Sequence, residues 1–211
     1  MQKKTLNLGN YEVSMENTKN NKRYDNRKRK NKYKNEERYS SISLHDKRII
    51  YLDGEINDSL ASKIVQQLLR YDMCNHKDIT IYINSPGGSV TSGFAIYDMM
   101  NKIKSDVRTI GIGRCSSMAS ILLINGAKGK RFILPNAEVM IHEVSSCTVG
   151  NISEMQEKFE HTKVLNERIF KIISTKTKMK VSQIKKYTAN KDHWLNSNRA
   201  LQYGFVDKIL R

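Results

Sequence analysis

The stretch GRCSSMASILL, residues 113–123, sets Cys115, Ser116, Ser117 and Ser120 within eight residues, after a β-branched run and before an apolar one. A hydroxyl or thiol becomes a useful nucleophile when a neighbouring base takes its proton. Without such a base, a serine at this kind of junction is an ordinary helix N-cap. Five histidines are available as the base. His45 and His76 sit among charges, His161 lies in a long helical pattern, and His193 follows Asp192, all surroundings typical of surface or linker positions. His142 alone follows a strongly apolar run, EVMI, at the expected C-terminal end of a strand. That position suits a structural imidazole or a general base equally well. A serine and a histidine at neighbouring strand ends can share one cleft, and a third group must then fix the imidazole tautomer. Asp192, Asp207 and Glu143 are the candidate acids, and Ser116 and Ser117 the candidate nucleophiles; residue pattern alone leaves both choices open.

Convergence of this kind requires strands that end on one edge, and the order of elements supplies them. RIIYLDGEI is a short β-branched strand closed by the turn at Asp53-Gly54. NDSLASKIVQQLLRYD places Leu60, Ile64, Leu68 and Tyr71 at helical spacing, behind the cap candidates Asn57, Asp58 and Ser59. DITIYINS is a strand ending at PGG; VTSGFAIYDMMNKIK is a helix with Ala95, Ile96, Met99, Met100 and Ile103 on its apolar face. VRTIGIG is a strand that leads into the apolar helix SSMASILLINGA. KRFILP and EVMIHEV are strands separated by Pro135-Asn136. A long amphipathic helix is expected over 151–174, with Met155, Phe159, Val164, Leu165, Ile169 and Ile172 on its apolar side, then a helix over 181–188 and a closing FVDKIL. The alternation predicts an α/β fold of parallel strands joined by right-handed helical crossovers that cover them.

Two strand-to-helix junctions, Ser85-Pro86-Gly87-Gly88-Ser89 and Gly113-Arg114-Cys115-Ser116-Ser117, consist of small residues. Unpaired N–H groups at such junctions suit a phosphate, a carboxylate or a developing oxyanion. A nucleotide site is disfavoured, because neither GxxxxGK[ST] nor a GxGxxG after the first strand is present.

Composition narrows the classes further. The formal charge is +16, but residues 1–40 carry 12 Lys/Arg against 5 Asp/Glu, a net +7, leaving +9 over the other 171 residues. The segment NKRYDNRKRKNKYKNEER is nearly free of aliphatic side chains and is expected to form a basic, disordered N-terminal extension over 1–40, ahead of one domain over 41–211. A nucleic-acid arm or a targeting segment are the other readings of that extension. The three cysteines, Cys74, Cys115 and Cys147, are odd in number and lack metal-ligand spacing, which argues for free thiols. No apolar run reaches the roughly 18 residues of a membrane span. The expectation is a soluble intracellular protein without nucleic-acid or membrane binding by its folded part.

The segments YINSPGGSVTSGFAIYDMM, GRCSSMASILLINGAKGKRFILPNAEVMIHE and KDHWLNSNRALQYGFVDKIL together resemble the proteolytic subunits of the ATP-dependent Clp protease, over about residues 43–211. SPGG, the SM pair, GAKGKRF.LPN and VMIH occur in that family's order. The resemblance implies a crotonase-like fold of repeated β-β-α units with a protruding strand-helix handle. It also implies a Ser117-His142-Asp192 triad, with Gly88 and Met118 as backbone oxyanion donors and Ser116 as a small packing residue. By the same resemblance, the protein would be a serine endopeptidase subunit of two stacked heptameric rings, or of a mixed ring with paralogous subunits. It would cleave unfolded polypeptides delivered by an AAA+ unfoldase. No cofactor or metal would be bound, since ATP is used by the unfoldase. The location would be cytoplasmic, or an organelle matrix or plastid stroma if the extension is a targeting segment.

This chain departs from the family pattern at several positions. Glu143-Val144 stands for Gln-Pro, Ser145-Ser146-Cys147 for Leu-Gly-Gly, and Asn190-Lys191 for an acid-Arg pair. Lysine lacks the bidentate geometry of arginine. Tyr82 matches an aromatic of the family's chaperone-docking pocket, whereas Thr80 replaces another. A catalytically weak structural subunit of a mixed ring and a crotonase-fold acyl-CoA enzyme are the rival readings.

Overall fold

The computed structural model describes residues 47–211, so the disordered extension expected over 1–40 lies outside the described residues. The elements are β1 (Ile49–Asp53), α1 (Asp58–Cys74), β2 (Ile79–Ser85), α2 (Val90–Lys102), β3 (Val107–Ser116), α3 (Met118–Ile124), β4 (Arg131–Ile133), β5 (Glu138–Ile141), α4 (Ile152–Lys176), α5 (Val181–Thr188), β6 (His193–Asn196), α6 (Ser197–Gln202) and β7 (Lys208–Ile209). The helices start where their caps dictate. The Asn57 side chain accepts the Leu60 N–H at 2.9 Å, and Asn151 and Glu154 close a reciprocal capping box at the head of α4. On α1 the buried residues are Ala61, Ile64, Leu68 and Tyr71. On α2 they are Ser92, Gly93, Ile96 and Met100, while Ala95, expected on the apolar face, is exposed.

The strands form one sheet in which β1-β2-β3-β4-β7 are successive parallel neighbours. β3 is longer than its apolar run suggests, because it continues through Arg114, Cys115 and Ser116. It changes partner along its length: Thr109–Gly111 pair with β4, whereas Arg114–Ser116 pair with β5. The change occurs at a bulge. Ile83 faces Gly111 but Ser85 faces Cys115, so two residues on β2 are matched by four on β3. Gly113 makes the bulge possible with φ +54°, and a Cβ there would lie 2.7 Å from the Asn84 Oδ1. That oxygen accepts the Arg114 N–H at 3.2 Å, while Asn84 Nδ2 donates to Asp53 at 3.1 Å, tying the bulge to β1.

Three features differ from the expected pattern. β6 runs antiparallel to β5, a consequence of α4 and α5 returning the chain to the edge at which β5 ends. The helices do not cover both faces of β1 and β2: burial alternates along both strands, and Tyr51, register partner of Tyr82, is 51% exposed. On α4 only Ile169, Phe170 and Ile173 are buried, although the apolar pattern extends to Met155. In its first half Ile152, Phe159 and Val164 are 79%, 60% and 56% exposed. This half of a helix ~38 Å long is the helical part of the handle; the preceding residues 142–149 pair with no strand among the described residues. No helix of the described residues is long and apolar enough to cross a membrane.

Candidate active site

Ser117 occupies the N-cap position of α3, yet its side chain caps nothing. The residue has φ +54°, a region that a non-glycine residue enters at a cost. The sharp turn lies between the last residue of β3 and the first of α3. It is held by the Ser117 N–H donating to Met140 O at 2.8 Å, and by Ser120, whose N–H and Oγ both donate to Ser117 O. The released Oγ lies 2.8 Å from His142 Nε2. The N-cap reading therefore fails for Ser117. Of the other groups in the segment, the Ser120 hydroxyl is committed to Ser117 O, and Ser116 and Cys115 are buried. Ser116 is 2% exposed, with its Oγ unpartnered among the described residues. Cys115 is fully buried against Ile83 O, and burial pushes its thiol up to about 12.

Strand register explains how the histidine and the acid arrive. Ser116 faces Met140 in the parallel β3–β5 ladder, so the residues just past both strand ends, Ser117 and His142, emerge on one edge. In the antiparallel β5–β6 ladder Ile141 faces His193, and one step further places His142 opposite Asp192. The His142 Nδ1 is 3.5 Å from Asp192 Oδ1. An antiparallel strand begins where its neighbour ends, which is why a residue preceding β6 can reach the C-terminal edge of β5. The other candidate acids are elsewhere. Asp207 is held by Arg131 through its Nε at 3.0 Å, its terminal nitrogen at 2.6 Å and its backbone N–H at 3.0 Å. Burial raises the Asp207 carboxyl, but these Arg131 bonds outweigh it and leave the group below its usual range. Glu143 is exposed, and the side-chain partners of His142 among the described residues are Ser117 and Asp192.

The second small-residue junction packs against the first. A Cβ on Gly87 would lie 2.6 Å from Ser116 O, 2.7 Å from Ser117 Cβ and 3.0 Å from Met118 N, contacts that only glycine permits. Ile56 fixes this loop from the other side, donating to Gly87 O at 2.7 Å and accepting from Ser89 N at 2.8 Å. Gly88 and Met118 thus border one cleft with Ser117 and His142, and its remaining walls include Val90, Ile121, Ile141 and Ile173. The Met118 N–H is among those that the first turn of a helix leaves unpaired.

Residue pattern did not single out two polar groups that hold the cleft's rim. Asn166 on α4 accepts the Val144 N–H at 3.0 Å, and the hydroxyl of Thr162, one turn earlier, is hydrogen-bonded to that of Ser146 at 3.3 Å. Their i, i+4 spacing inside an otherwise charged stretch was the available signal. His193, grouped with the surface histidines, is instead half-buried and stacked on Tyr187. All three cysteines are free, as their spacing implied. The family model for Clp protease matches residues 32–211, starting within the basic segment, and on that match the chain belongs to the Clp protease family.

Proposed function

We propose that the chain cleaves polypeptides by a Ser117-His142-Asp192 triad, with Gly88 and Met118 N–H groups binding the oxyanion. Membership of the family makes it a ClpP-type serine peptidase that works as an oligomer with Clp unfoldases in general. The observation that carries the residue assignment is the run Ser117 Oγ, His142 Nε2, His142 Nδ1, Asp192 Oδ1, with separations of 2.8 and 3.5 Å across the imidazole, at the mouth of an apolar cleft. His142 takes the proton of Ser117 as Oγ attacks the scissile carbonyl, and later delivers it to the leaving amine. Asp192 selects the tautomer that leaves Nε2 free to accept and stabilises the imidazolium. Each oxyanion donor contributes about 3 kcal/mol in the transition state. The chemistry requires no metal or cofactor on this chain; ATP is consumed by an AAA+ unfoldase that feeds unfolded substrate.

The aliphatic cleft favours an apolar side chain before the scissile bond. Tyr51 and Tyr82, register partners on the outward face of β1 and β2, offer an aromatic surface for an unfoldase. The exposed half of α4 supplies a surface for a second ring, giving either two stacked heptamers of this chain or a mixed ring. The folded part acts in the cytoplasm or in an organelle matrix.

Fluorophosphonate labelling of the purified, assembled protein tests the assignment. The adduct is expected on Ser117 and is lost in Ser117→Ala, with peptide hydrolysis falling by about 10⁴-fold or more. An assembled particle that takes no label, with or without an unfoldase, would instead indicate a structural subunit.

A further inference from the structure

We propose that His193 is a positioning residue for Asp192, acting through its stack on Tyr187. This inference rests on the triad assignment above. Asp192 is 51% exposed, and its contact with His142 at 3.5 Å is its carboxylate's one ion-pair or hydrogen-bond partner among the described residues. No other donor among the described residues orients it, in contrast to Asp207 with its three bonds from Arg131. The backbone must therefore hold the acid in place. Asp192 lies in the turn between α5 and β6, where Asn190 has φ +56° and the Lys191 N–H reaches back to Thr188 O at 3.3 Å. The two ends of that turn are fastened by the Tyr187 and His193 rings, whose centroids are 4.5 Å apart and whose planes differ by 9°. The rings form a clasp: Tyr187 belongs to the last turn of α5, and His193 is the first residue of β6, in register with Ile141.

The clasp is built for an uncharged ring. His193 Nε2 is buried with no hydrogen-bond partner among the described residues. The charged or titratable groups around it are Tyr187 from α5, Arg199 from α6, Tyr203 beyond it, and Lys191 and Asp192 from the turn, while β5 presents Ile141. Burial, then the charges of Arg199 and Lys191, hold the imidazole below its ordinary 6.5. The sign follows from linkage: an open turn binds the proton more readily than the clasped one. The clasped state is therefore favoured above 6.5 and loses that advantage as pH falls through the lower value in the fold.

Hydrolysis of a short fluorogenic peptide by the full assembled chain, followed from pH 8 downward, distinguishes this role from mere packing. His193→Ala is expected to lower kcat by roughly tenfold to a hundredfold, the cost of ångström-scale misplacement, with KM within about twofold of wild type. His193→Phe keeps an aromatic partner for Tyr187 and cannot titrate. It is expected to recover kcat at pH 8 and to give a less steep acid limb than the wild type, because the ring whose protonation opens the clasp is gone. Assembled His193→Ala with wild-type kcat, or His193→Phe that keeps the steep limb or shares the loss, overturns the proposal. If His193→Ala does not assemble, His193→Phe decides alone. A wild-type particle without hydrolysis removes the triad assignment itself, a failure separate from these.

Discussion

At the scale of single residues, Ser116 and Ser117 show how adjacent identical side chains acquire opposite fates. Ser116 ends β3 facing inward, and its hydroxyl finds no partner among the described residues; Ser117 begins the turn with φ +54° and presents its Oγ to His142. A buried unsatisfied hydroxyl destabilises, and removing it relieves that cost. Ser116→Ala is accordingly expected to raise stability by about 1 kcal/mol, read by denaturant unfolding, with peptide hydrolysis unchanged; a loss of stability would mean the hydroxyl is engaged. The sequence could reduce the proposed nucleophile to this pair but could not choose, because side-chain direction at the end of β3 depends on a bulge whose partner strand is some 30 residues away. The apolar strand before it marks His142 as the candidate base, with a structural imidazole equally open from the residues alone. Asp192 is one of three candidate acids in the residue pattern, singled out among them only by resemblance, since its approach depends on β6 reversing direction, which no local pattern encodes.

At the scale of elements, the bulge between β2 and β3 governs where Ser117 points. It lets β3 leave β4 for β5, and it depends on Gly113 beside Asn84. Gly113→Ala places a methyl 2.7 Å from Asn84 Oδ1 at a positive φ. The expected outcome is about 1–3 kcal/mol lower stability by thermal melting, together with a kcat reduced by more than the population of folded protein explains. Lower stability with unchanged kcat would separate the bulge from the aiming of Ser117. Most element types and boundaries followed from periodicity, because apolar spacing and caps such as Asn57 and Asn151 act locally. The antiparallel β6 and the continuation of β3 to Ser116 did not, because both are set by pairing between distant segments.

At the scale of the whole molecule, the first half of α4 is incomplete alone. Ile152, Phe159 and Val164 are more than half exposed on a helix whose second half is anchored by Ile169, Phe170 and Ile173. Exposed apolar side chains repeated along one element mark an interaction surface. Phe159→Glu is expected to shift the protein from its assembled form to smaller species in sedimentation, with far-ultraviolet circular dichroism unchanged. An unaltered assembly would remove this half of α4 from the contact. The cleft would feel such a change, since Asn166 and Thr162 of the same helix hold its rim.

The reversal of β6 also has a temporal meaning. Asp192 follows His142 by fifty residues, and Ser117 precedes both. A chain emerging from the ribosome therefore exposes the proposed nucleophile and base well before the proposed acid, and the acid reaches them only after α4 and α5 have been laid down. On the proposed triad, the half-made subunit carries Ser117 and His142 without the residue that aligns them, so cleavage waits for the completed fold.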